Sequence, residues 1–129
     1  MKNYSKKVNL LPINPDKLTF EKVPDKELYY MELPFDAEPD DIWGHLFEAE
    51  YRADLNKMWR AEVTGSIVRV ITATDSVKRQ IEWTKNLVAR VNAAVDGYNE
   101  AVKDENQVEA RGLQREKDAI EKMRKSLKE

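Results

Sequence analysis

The stretch from Asp75 to Val102 sets what this chain can fold into. Val77, Ile81, Thr84, Val88, Val91, Val95, Tyr98 and Val102 recur there at alternating gaps of three and four residues, the spacing that gathers side chains on one face of an α-helix. At roughly 100° per residue, Leu87, Ala94, Ala101 and Trp83 widen that face to an arc of about 160°. A coiled-coil seam is much narrower, so such a helix needs two neighbours, a sheet before it and a further helix after it. Thr74 or Asp75 supplies the N-cap that satisfies the free N–H groups of the first turn. Gly97 lies inside the pattern and fits a close contact or a local bend, since glycine costs about 1 kcal/mol against alanine in a helix interior.

Upstream the period changes to two. Val8 to Ile13 is an apolar patch closed by Pro12 and Pro15, an edge strand or an extended arm. Lys17 to Val23 sets Leu18 and Phe20 against Thr19 and Glu21, and Glu27 to Leu33 sets Tyr29, Met31 and Leu33 against Leu28 and Tyr30. Both read as strands with one buried face. Pro24-Asp25 between them is a hairpin turn. The acidic run Asp36 to Asp41, with Pro39, suits a helix N-terminus and opens a helix to about Leu55. Its apolar stripe is Ile42, Leu46, Ala49 and Ala53 with Trp43, Phe47 and Tyr51 beside it. Met58 to Val63 and Ile67 to Thr72 flank Thr64-Gly65-Ser66 and form a second hairpin. The latter strand is almost wholly apolar, hence interior, with Arg69 near a rim or paired.

After Val102, residues 103–107 are all polar, and the apolar phase resumes at Leu113, Ile120 and Leu127 with Ala110 and Met123. Against a 3.5-residue seam that phase is offset, which favours a helical hairpin turning at Asp104 to Asn106 over one rod. The expected fold is α+β: two β-hairpins in an antiparallel sheet of about four strands, one helix between them and a long C-terminal helical hairpin, a two-layer arrangement compatible with a ferredoxin-like order. One domain is expected, with an arm over residues 1–16, the hairpin, helix and hairpin over 17–73, and the helices over 75–128.

No motif names an activity. The 22 basic and 24 acidic residues nearly cancel and the formal net charge is −2, so no global field draws the chain to nucleic acid or anionic membrane. Without cysteine there are no disulfides and no thiolate sites; this and the absence of any apolar run of about 18 residues point to a soluble cytoplasmic protein. Neither a nucleophile elbow, a Walker A loop nor a dinucleotide fingerprint is present. Asp41, His45 and Glu48 share one helical face, the way a helix presents metal ligands. A single helix cannot close such a site, so a solvated polar face is the simpler reading and no cofactor is expected.

Trp83 is the oddest surface feature. It sits at the edge of the apolar arc with Arg79, Asn86 and Arg90 alongside and Lys78 and Lys85 further round. That set could form the hot spot of a protein interface or stack a base while its cations meet phosphate; packing under a neighbouring element is the bland alternative. The expected function is therefore a non-enzymatic interaction or regulatory module acting through its long helical surface. The rivals are a nucleic-acid binder using the Trp83 face, and a small-molecule binder or enzyme using His45 or Arg69. A homodimer is also expected, through Val95, Tyr98, Val102, Leu113, Ile120, Met123 and Leu127, because the stripe of the last helix is too thin to cover the arc of the one before it.

Overall fold

A computed structural model describes residues 2–128. A 3-10 turn at Pro15–Lys17 leads into β1 (Phe20–Lys22) and β2 (Tyr29–Pro34). The turn between them holds Asp25 at φ 57°, in the left-handed region that aspartate tolerates better than most residues. Next come α1 (Asp41–Ala53), β3 (Ala61–Thr64), β4 (Ile67–Thr72) and α2 (Val77–Lys128). Gly65, also at φ 57°, makes the tight β3–β4 turn. Both hairpins fall where the turn residues put them, though β1 and β3 are shorter than their patterns and β1 lacks the expected buried face, since all three of its residues, Phe20 among them, are exposed.

The sheet order is β1-β2-β4-β3, antiparallel throughout. Elements run strand, strand, helix, strand, strand, helix, which is not the strand-helix-strand-strand-helix-strand sequence of a ferredoxin-like fold. The described chain falls into two compact units, residues 5–96 and residues 2–4 with 97–128.

In the first unit one face of the sheet carries the core. Met31 and Leu33 of β2, Val68 and Val70 of β4 and Ala61 of β3 are buried against Trp43 and Phe47 of α1 and Leu87, Val88, Val91 and Val95 of α2. Trp43 stacks on Phe47 at 5.7 Å and meets the edge of Phe35 at 5.2 Å. The α1 stripe is thus centred on Trp43 and Phe47, and Ala49 and Ala53, expected within it, are exposed. Helix α1 buries its largest side chains, because apolar area rather than the tally of apolar positions decides which face turns inward.

On the opposite face Arg69 is paired, as its sequence position suggested. Its guanidinium contacts Glu21 at 2.9 Å and lies 3.8 Å over the Tyr30 ring, with Glu32 and Glu62 opposite it on the neighbouring strands.

Helix α2 corrects the expected helical hairpin: Val77–Lys128 is one helix of 52 residues. Residues 103–107 contain neither proline nor glycine, and each costs at most about 0.7 kcal/mol in a helix. The phase offset does not require a break. Val102 to Leu113 is eleven residues, about three turns plus 20° at 3.6 residues per turn, so a straight helix returns to the same side where a 3.5-residue seam registers a slip. The first helical bond runs from Gln80 N–H to Ser76 C=O at 2.9 Å, so the cap position is Ser76 rather than the expected Thr74 or Asp75. A Cβ built on Gly97 meets nothing within 4 Å, so no close contact explains that glycine.

Candidate interaction surfaces

Trp83 and Arg90 come together, but around a buried carboxylate. Asp54 closes the C-terminus of α1 and is 8% exposed. It accepts hydrogen bonds from Trp83 Nε1–H at 2.9 Å and Asn56 N–H at 2.7 Å, and pairs with Arg90. Burial alone would raise the Asp54 carboxyl, yet these donors hold it below the usual carboxylate range. The Trp83 ring also meets the edge of Tyr51 at 6.3 Å. Two of the six residues assigned to a binding face therefore serve the fold. Lys78, Arg79, Lys85 and Asn86 stay exposed, with Lys85 beside Glu82 at 3.4 Å.

The polar face of α1 borders an open cleft of about 600 Å³ lined by Glu38, Asp41, His45, Glu48, Arg60 and Glu62 among others. Arg60 grips Glu48 in a two-pronged pair at 2.8 and 3.1 Å and lies 4.8 Å over the Tyr51 ring. The Arg60 hydrogen bonds hold the Glu48 carboxyl below its ordinary range. This corrects the metal candidate. Glu48 is committed to a guanidinium, and among the described residues no group of three or more His, Cys, Asp or Glu side chains could hold a metal ion. Asp41 and His45 are exposed.

Two polar anchors at the N-terminal arm went unread in the sequence. Asp40, the α1 N-cap, accepts from Trp43 N–H at 2.8 Å, Lys6 N–H at 3.0 Å and the Ser5 hydroxyl at 2.9 Å. Burial opposes its ionisation, but these bonds leave its carboxyl below the usual value. Asn92 of α2, 9% exposed, accepts from Val8 N–H at 3.1 Å and Trp43 Nε1–H at 2.9 Å and donates to Val8 C=O at 2.9 Å. The signals were faint: a buried tryptophan N–H usually requires an acceptor, but nothing in a single sequence says which.

In the second unit residues 2–4 line α2. Lys2 N–H donates to Asn106 Oδ1 and Asn106 Nδ2–H to Lys2 C=O, each at 3.1 Å, Lys2 Nζ meets Glu105 at 3.0 Å, and the Tyr98 hydroxyl donates to Asn3 C=O at 3.3 Å. Val102 is buried. Every residue from 107 to 128 is exposed, including Val108, Leu113, Ile120, Met123 and Leu127. Of the seven residues assigned to an oligomer interface, Val95 and Val102 are buried, Tyr98 is half-buried, and Leu113, Ile120, Met123 and Leu127 are exposed.

Comparison of the chain with models of known families, with curated proteins and with solved structures finds no match. Among the described residues no helix is long and apolar enough to cross a membrane.

Proposed function

We propose that this chain is a non-enzymatic protein-interaction module whose contact element is the α2 segment 107–128. The supporting observation is an all-exposed helix of 22 residues that nevertheless carries Leu113, Ile120 and Leu127 at sevenfold spacing, with Met123 beside them. Polar side-chain contacts help such a segment stay helical, among them the hydrogen bond from Gln114 to Asp118 at 3.0 Å and the ion pair of Arg124 with Glu121 at 3.6 Å, each worth a few tenths of a kcal/mol. They do not call for leucine and isoleucine. An apolar stripe on a polar helix is the form in which a helix seats on a partner helix or groove.

The test compares the full chain with a Leu113→Ser, Ile120→Ser variant as bait in an extract of its host. Loss of the captured proteins, with thermal unfolding of the rest of the chain unchanged, is the expected result. An identical capture profile for both baits would sink the reading. Salt-sensitive retardation of nucleic acid, weakened by Arg79→Ala, would favour the nucleic-acid rival instead. A second reading rests on the cleft beside His45, whose volume suits a small ligand and whose carboxylates suit a cationic one; protection of His45 from chemical modification by such a ligand would support it.

A further inference from the structure

We propose that the partner of segment 107–128 is a second copy of the same segment, running antiparallel about a two-fold axis between Leu113 and Ile120. The proposal rests on the interaction-module reading above, and charge carries it. Residues 105–110 hold Glu105 and Glu109 and no base, whereas Arg124, Lys125 and Lys128 occupy residues 123–128 with no carboxylate among them. Two copies side by side in parallel would set acid on acid at one end and base on base at the other. Antiparallel copies set each acidic stretch against the other's basic end, and like-charge juxtaposition is a strong determinant of orientation.

The apolar residues fit the same axis. With the two-fold at the midpoint, Leu113 of each copy lies beside Ile120 of the other, Glu109 lies across from Arg124, and Glu105 across from Lys128. An isologous contact of this kind closes on itself and stops at two. The exposed segment is about 33 Å long at roughly 1.5 Å per residue, so the pairing is short and dimerisation depends on concentration.

Since the chain has no cysteine, introduced thiols report the geometry in the full-length protein. Under mild oxidation Glu116→Cys, near the axis, should cross-link to itself. Glu109→Cys and Arg124→Cys should do so poorly alone and efficiently when mixed. Sedimentation equilibrium should show a mass rising with concentration from 15.0 kDa towards twice that value. Dimerisation should weaken by about tenfold or more in 1 M salt, where screening acts within roughly 3 Å.

A 15.0 kDa species up to millimolar concentration overturns the proposal, as does strong self-cross-linking of Glu109→Cys and of Arg124→Cys, the signature of a parallel pair. A chain that stays monomeric while its capture of other proteins still depends on Leu113 and Ile120 refutes this proposal and leaves the module reading standing. Monomeric behaviour with no such dependence refutes both.

Discussion

Asp54 is the side chain on which the residue-scale argument turns. Removing it leaves the part-buried Trp83 Nε1–H without an acceptor, and an orphaned donor shielded from water costs about 1–3 kcal/mol, whereas Asn56, an exposed residue, can turn its N–H to water. The Arg90 side chain is 44% exposed, and a half-exposed ion-pair partner contributes about 0–1 kcal/mol. Urea denaturation should therefore find Asp54→Ala more damaging than Arg90→Ala; the reverse order would mean that the ion pair, not the tryptophan hydrogen bond, dominates. Asp40 and Asp54 also set the response to acid. Both carboxyls are held low in the folded chain, so the stability they add is present above the unfolded carboxyl value of about 3.9 and is lost as pH falls through the folded value. Asp40→Asn, which keeps the cap, should flatten the acid limb of a stability–pH curve measured between pH 6 and 2. An unchanged limb would contradict the assignment. The role of Asp54 was not legible beforehand, because a lone aspartate after a helix gives no sign of which donors the fold will bring to it.

Among the elements, what the sequence specified depended on whether the signal was local. Alternating strands, the Pro24-Asp25 and Gly65 turns, the Asp40 region as a helix start and the α2 arc all follow from neighbours within a few residues. The expected helical hairpin does not form, because the polar stretch 103–107 contains no residue that strongly disfavours a helix. The exposed half of α2 has one weak point, Gly112, where an added Cβ meets nothing within 4 Å. Gly112→Ala should strengthen this segment by up to about 1 kcal/mol. Slower amide exchange across residues 107–128, with exchange in the strands unchanged, is the expected reading; equal rates would mean that contacts other than backbone propensity hold the segment.

At the scale of the whole molecule, strand order and the role of the N-terminal arm are non-local and escaped the sequence. The β2–β4 ladder joins Tyr29 to Thr72 and Pro34 to Ile67, and period-two patterns carry no information on which strand lies beside which. The candidate surfaces divided along the same line. Trp83 and Arg90 read as surface from their own helix alone, whereas Asp54, 29 and 36 residues away in sequence, draws both into the fold. Leu113, Ile120, Met123 and Leu127 share a stripe that their own helix reveals, but the expected packing of that stripe on the preceding helix does not occur and all four are exposed.

The bonds between Val8 and Asn92 span 84 residues of sequence, and closing a loop that long costs about 4 kcal/mol of chain entropy. Such a contact is a poor nucleus and a good latch: local hairpins and helices form first, and the arm locks on after the barrier has been crossed. Asn92→Ala should then accelerate unfolding several-fold while leaving the refolding rate nearly unchanged, an asymmetry visible in the two limbs of a stopped-flow chevron. If the refolding limb slowed as much as the unfolding limb quickened, the arm would instead belong to the early structure. As a latch, one asparagine governs how long the folded chain persists far more than how fast it is reached.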